Sequence, residues 1–279
     1  MRLTKENEET VVQLPANQLR PFDENPYQVR DDEEMVCLVE SIQSQGILTP
    51  VTVRKLEDGN FEVISGHRRL HACQVAGIQE IPAIVVQMSR EEAAVALVDS
   101  NLHREHILPS EKAFAYKMKM EALSHQGTSG QLGQKWSREQ IDEQESGRQV
   151  QRYIRLTSLI PELLQLVDNG KIALTPAVEL SYLPENAQAV LLEEIRRNDC
   201  TPSLSQAVRL KKQYQAETLT AEGIQEIMSE EKANQKERMH IPTERIRKYF
   251  PKSYTVSQIE DAVVKLCERD YRRRADRER

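Results

Sequence analysis

The chain has few aromatics: 5% of 279 residues, with one tryptophan and four phenylalanines, so its cores are expected to be modest and aliphatic. No apolar run approaches the length that spans a bilayer. Residues Met1 to Glu9 lack the apolar centre of a signal peptide, and a soluble, cytoplasmic protein with no membrane partner is expected. Cysteine is sparse. Cys37, Cys73, Cys200 and Cys267 are widely separated, and three fall in apolar helical patterns, which favours reduced packing residues over disulfides or zinc ligands. Positive charge is not in excess: the net charge is -6. That does not exclude nucleic acid, because DNA affinity depends on local basic clusters rather than on the total. No catalytic triad, Cys-X-X-Cys pair, internal repeat or long coiled-coil heptad is present. The acidic runs, such as Asp31 to Glu34, are explained by a solvated helix face.

What is present divides the chain by pattern. Residues 10–108 mix strand and helix signals. Thr49 to Arg54, Asn60 to Ile64 and Ile81 to Gln87 predict strands. Glu33 to Gln45 predicts a helix closed by Gly46, and Ser89 to Leu102 one with a capping box from Ser89 and Glu92. From Pro109 the strand signals vanish. A helix from Ser110 to about Ser124 is expected, then a glycine-rich loop from Gln126 to Gly133. Ser137 opens further helices, interrupted at Pro161, Pro176, Pro184 and Pro202. The expected organisation is an α+β domain over 1–108, an all-α helix-turn-helix domain over 109–212, a polar linker over 213–241 and a small helical unit over 242–279, mainly helical overall.

Within the first domain the sharpest feature is Ile64-Ser65-Gly66-His67-Arg68-Arg69-Leu70, where a strand pattern gives way to a helix closed by Gly77. Gly66 removes a side chain at the turn, the first helical amides have no intrahelical partner, and Arg68 and Arg69 stand beside them. These are the ingredients of an anion site. Paired arginines on a solvated helix face are the plain alternative, and the flanks decide between the two. Asn25-Pro26-Tyr27-Gln28-Val29-Arg30 lies upstream and Ser100-Asn101-Leu102-His103-Arg104-Glu105 downstream.

In order, spacing and content these three boxes resemble the amino-terminal domain of ParB-type chromosome and plasmid partition proteins, and the resemblance extends over roughly residues 10–215. It implies a CTP-binding pocket formed by Gln28, Arg30, Gly66, His67, Arg68, Arg69, Asn101 and Arg104, with nucleotide closing a dimeric clamp on DNA. It also implies Mg²⁺ held through Asn101. Two positions depart from the family's pattern: His67 and Ser100 stand where glutamates are usual. Histidine is a poor ligand for a hard cation, so weak or absent CTP hydrolysis is expected, with Asp99 as a partial substitute. His67, His71, His103 and His106 also admit a zinc reading, which short histidine spacing alone does not favour. The related sulfiredoxin-like chemistry needs a cysteine beside the phosphate box, and Cys73 lies too deep in the helix for it.

The DNA-reading candidate is Ser137 to Leu156, with Glu145-Ser146-Gly147 as turn and Gly147 to Leu156 as recognition helix. Val150, Ile154 and Tyr153 are expected to pack inward, leaving Arg148, Gln149, Gln151, Arg152 and Arg155 outward. Arg and Gln suit guanine and adenine edges in the major groove. A polar surface helix is the alternative. The tail joins an aromatic cluster at Tyr249 and Phe250 to a helix bearing Ile259, Val263, Leu266 and Cys267, ahead of Arg272 to Arg274; it suits dimerisation, phosphate contact or both. The expected function is a nucleoid-associated, sequence-specific partition protein that binds double-stranded DNA as a homodimer, with a ParA-type ATPase as partner. Two alternatives stand beside it: a ParB-like transcriptional regulator or nucleoid factor without nucleotide switching, and an enzyme acting on phosphate esters.

Overall fold

The computed structural model describes residues 10–102, 104, 106–129 and 145–230, with 247, 249–251, 254–255, 258–259, 262–267 and 269 beyond them. The chain divides into two compact units, the first ending at Glu230.

The first unit opens with strands β1 (Val11–Pro15) and β2 (Leu19–Pro21), joined by a single 3₁₀ turn. Helix α1 (Glu33–Gln45) is followed by β3 (Val51–Lys55), β4 (Phe61–Ser65), α2 (His67–Ala76), β5 (Glu80–Val86) and α3 (Arg90–Asn101). The strands form one mixed sheet in the order β1-β5-β3-β4-β2. β5 with β3 and β4 with β2 run parallel; β1 with β5 and β3 with β4 run antiparallel. The strands absent from the sequence expectations, β1 and β2, are the two edges. Each ends in proline, which lacks the N–H an interior strand must donate and so argues against a strand in a sequence pattern.

Successive β4 side chains face opposite ways. Val63 joins Val51, Val53, Ile81 and Ala83 beneath Met35 and Ile42 of α1 and Leu70 and Cys73 of α2. Ile64 packs on the other face with Ala93 and Leu97 of α3. The sheet is therefore covered on both sides, and Glu62 is buried despite its charge. Its carboxylate is paired with Arg54 at 2.6 Å. α1 and α3 start and stop as expected: Gly46 closes α1 at φ 74°, and Ser89 with Glu92 forms the capping box of α3.

Helix α4 (Pro109–Ser129) runs into the stretch expected to be loop, through Gly127. Adding residues to an existing helix costs far less than nucleating one, so a polar, glycine-containing end can be carried along. The rest of that loop and the helix expected from Ser137 lie outside the described residues. α5 (Gly147–Leu156), α6 (Pro161–Asp168), α7 (Leu174–Leu180), α8 (Glu185–Asn198) and α9 (Leu204–Gln215) follow. Pro176 does not interrupt a helix; it is the third residue of α7, where the N–H has no intrahelical acceptor to lose.

The linker expected from residue 213 is the clearest correction. α9 runs to Gln215, and α10 (Ala221–Ser229) buries Ile224, Ile227 and Met228 in the same core as Leu163, Leu191 and Leu210. Gln206 donates to the Ile227 carbonyl at 2.7 Å. The segment reads as polar because its three apolar residues occupy one stripe among carboxylates. In the second unit, residues 258–259, 262–267 and 269 are helical, Ile259 is buried, and the Phe250 and Tyr254 rings stack at 6.3 Å. No cysteine forms a disulfide. Only Cys73 is buried, while Cys37 and Cys267 are exposed, which corrects the expectation that three pack inside.

Candidate nucleotide and nucleic-acid sites

The turn from β4 into α2 is shaped by Gly66, at φ 101°. A Cβ there would come 2.9 Å from the Val51 Cγ1 methyl and 3.1 Å from the Arg69 guanidinium carbon. Close approach is thus required, as expected, but the groups that approach are the protein's own. Arg69 folds back beneath the turn and donates through Nη1 to the carbonyls of Thr49 and Pro50, the latter at 2.6 Å. Arg68 turns toward the start of α1, where its Nη2 lies 3.3 Å from both Asp32 and Glu34.

His67, the first residue of α2, is largely withdrawn from water. Its Nε2 accepts the Phe22 N–H at 3.2 Å, and the ring also hydrogen-bonds the Val63 carbonyl. Burial, with the nearby Arg104 guanidinium adding to it, lowers the imidazole pKa to about 4. The ring is neutral, and its hydrogen bonds tie β4 and the residue that follows β2 to the helix start. It is not presented as a phosphate or metal ligand. His71, one turn on, pairs with Asp31 at 2.7 Å.

The three boxes meet at this end of the sheet. The Arg104 guanidinium lies 5.9 Å from the centre of the Tyr27 ring and acts on His67. Tyr27 is buried, its hydroxyl lies 3.5 Å from the Val98 carbonyl of α3, and burial raises its pKa. Gln28 and Arg30 are exposed and line a cleft of about 620 Å³ whose other walls include Ser110 and Phe114 of α4 and Leu164 and Asp168 of α6. The backbone of Gln28 is tied to α4, its N–H donating to the Glu111 carboxylate at 3.1 Å.

The donor set does not suit Mg²⁺. Asn101 is buried, with its amide nitrogen bound to the Leu97 carbonyl at 2.7 Å. Asp99 is held by Lys119 at 2.5 Å. Hard cations require several oxygens, preferably charged ones. Among the described residues no three histidine, cysteine or carboxylate groups converge on a cation position, for magnesium or for zinc. His103 lies outside the described residues.

Helix α5 begins as expected: Ser146 caps it by accepting the Gln149 N–H at 3.3 Å. Val150 is fully buried against Tyr116, and Tyr153 and Ile154 pack beside it. Arg148 is exposed. Arg152 donates to Gln149 at 3.0 Å and to Thr175, at the start of α7, at 2.6 Å. The other two residues expected outward, Gln151 and Arg155, are half-buried and also reach neighbouring helices. Gln151 turns to the Met120 sulfur of α4 at 3.8 Å. Arg155 donates to the Ser181 carbonyl at 2.8 Å and stacks over Tyr182 at 4.2 Å. A helix held between α4 and α7 has more than one inward face, and neighbours unknown to the sequence pattern claimed these two residues. The same pattern missed the opposite ends of this packing, Tyr182 and Lys211, whose ammonium lies 3.7 Å from the Tyr182 ring centre.

The fold is an α+β domain whose sheet leads into a glycine-started helix bearing Arg68 and Arg69, followed by helices among which α5 carries the polar residues. Residues 2–102 match the ParB N-terminal domain family. The chromosome-partitioning protein Spo0J of Thermus thermophilus is 30% identical over 200 residues, covering 71% of this chain and 70% of that protein. The nucleoid occlusion protein of a Geobacillus species is 37% identical over 134 residues, 47% of each chain, so the match spans about half of that relative's length. Two solved structures of the C-terminally truncated ParB from Caulobacter crescentus are also similar. The one complexed to the centromeric parS site has 21% identity and a TM-score of 0.44, covering 72% of this chain and 99% of that one. The one complexed with CTP-gamma-S has 22% identity and a TM-score of 0.32, covering 67% and 99%. The chain belongs to the ParB family of partition proteins.

Proposed function

We propose that this protein is a sequence-specific, DNA-binding partition protein whose amino-terminal domain takes CTP as the signal for a dimeric clamp. The observation that carries the nucleotide assignment is that one residue of each box comes near the start of α2: Arg104 lies 5.9 Å from the Tyr27 ring centre and its charge acts on His67. Unpaired helix-start amides and two arginines supply the phosphate recognition. The division of labour places the nucleotide within residues 10–108 and the DNA on the helical domain, which α10 extends to residue 230.

Base readout is assigned to Arg148, Gln149 and Arg152 of α5. Exposed Val264 and Leu266 in the second unit support a dimer contact there. A ParA-type ATPase as partner rests on family resemblance alone. Hydrolysis is expected to be slow: His67 is consumed by hydrogen bonds to Phe22 and Val63, and Asp99 by Lys119. Phosphoryl transfer needs charge neutralised on the phosphate oxygens, and these side chains do not provide for it.

The test has two arms. Selection from random duplex DNA should yield one motif, with Gln149→Ala or Arg152→Ala relaxing it at a cost of about 1–3 kcal/mol per bidentate contact. Calorimetry with CTP, ATP, GTP and UTP should show CTP preferred, and Arg68→Ala should abolish the binding. A second reading, a nucleoid factor without nucleotide switching, is favoured by the protein acceptors already on Arg68 and Arg69. Absence of binding by any of the four nucleotides would select it.

A further inference from the structure

The start of α1 carries four consecutive carboxylates, Asp31, Asp32, Glu33 and Glu34. Acidic residues at a helix start are favoured by the helix dipole whatever else they do. Here three of them reach across to α2. Asp31 lies 2.7 Å from His71, and Asp32 and Glu34 both lie 3.3 Å from Nη2 of Arg68. That nitrogen carries two hydrogens, and both are directed at carboxylates. A phosphate that grips the guanidinium through Nη2 must displace at least one of them.

Asp32 is the more consequential partner. The same oxygen, Oδ1, accepts the Met35 N–H at 2.8 Å, capping α1, and receives Arg68. The cap fixes where that carboxylate sits, so Arg68 meets an anion held in place rather than a wandering side chain. Glu34 is mostly exposed and exchanges readily, but it places a second negative charge on the path of any incoming phosphate.

Resting on the assignment of Arg68 to the triphosphate, we propose that Asp32 and Glu34 are an internal competitor that sets nucleotide affinity: they occupy the arginine when nucleotide is absent and must be displaced when it binds. These two carboxylates are determinants of affinity that the three boxes do not contain. The pairs are partly exposed, and such pairs are weak. The competitor therefore tunes binding and does not forbid it, and each pair is worth up to about fivefold in affinity.

The test is calorimetric titration of the full chain with CTP and with inorganic triphosphate. The variants are Asp32→Asn, Glu34→Gln, their combination, Glu33→Gln and Arg68→Ala. Asparagine keeps the cap of α1, and thermal melts check that each variant folds. The double variant should bind severalfold tighter than wild type, about three- to tenfold. Glu33→Gln removes the same charge from the same turn without touching Arg68, and should stay within about twofold. Binding by the double variant when wild type gives no signal would support the competition more strongly still. If Arg68→Ala abolishes binding and the double variant is no tighter than wild type, the competition is wrong while the phosphate assignment stands. An equal gain from Glu33→Gln would reduce the effect to net charge and overturn it. If no variant binds either probe, or Arg68→Ala binds as well as wild type, the assignment of Arg68 falls and the competition with it.

Discussion

At the scale of single residues, the boxes show side chains doing other work than their spacing implied. His67 is a half-buried neutral base whose pKa is lowered from 6.5 to about 4. Between these values the unfolded chain binds a proton that the folded protein does not, so stability rises with pH across that window. Acidifying from pH 7 to pH 5 should cost about 2 kcal/mol through this residue alone. Urea unfolding at both pH values measures it, and His67→Gln should lose correspondingly less on acidification than the native chain. Arg155 offers the contrasting case of a residue that looked like a base reader. Its stacking on Tyr182 and its bond to the Ser181 carbonyl make it a positioning residue. Arg155→Ala should lower unfolding stability by about 1–2 kcal/mol while leaving the selected DNA motif unchanged. A relaxed motif would return Arg155 to the reading face.

At the scale of elements, two helix starts carry most of the expected chemistry, and they are built differently. α2 has no side-chain cap; Gly66 takes the left-handed conformation there, and Val51 leaves no room for a larger residue. Gly66→Ala should destabilise the domain by more than about 1 kcal/mol, since it combines backbone strain with a contact under 3 Å, and should weaken CTP binding in the same measurement. α5, by contrast, is capped by Ser146 and held on α4 through Val150 and Tyr153. Ser146→Ala should cost about 1 kcal/mol. DNA affinity should fall without a change in preferred sequence, because the cap sets the position of the helix and not its contacts.

At the scale of the molecule, the helical domain ends at α10. Ile224, Ile227 and Met228 are almost fully buried, and each contributes about 1.5–3 kcal/mol by leaving water. A chain ending after residue 212 should lose the cooperative melt of the helical domain, while one ending after residue 230 should keep it. Circular dichroism melts of the two truncations decide this, and equal melting would show α10 to be dispensable. α4 is the other element acting over distance. Ser110 binds Asp168 of α6 at 2.6 Å, Glu111 binds the backbone of Gln28, and Lys112 binds Glu145 ahead of α5 at 2.7 Å. One helical turn thus touches the first box, α6 and the approach to the polar helix.

The sequence by itself determined the elements whose signals are local. The capping box at Ser89 and Glu92, the closing glycines at Gly46 and Gly77, and the bounds of α5 from Gly147 to Leu156 are written in adjacent residues, because caps and turns are satisfied within a few positions. It also determined that three boxes belong together, through their order. Only the tertiary structure decided what each charged or polar side chain faces. Glu62 found Arg54, Arg68 found Asp32 and Glu34, Asp99 found Lys119, and Arg155 found Tyr182. Apart from Glu62 with Arg54 and Asp99 with Lys119, these partners are far apart in the chain, and none of the pairs leaves a periodic mark. The edge strands β1 and β2 and the helix α10 were hidden for a related reason. Their sequences are too short or too polar to stand alone, and they form because a sheet edge and a helical core were there to receive them.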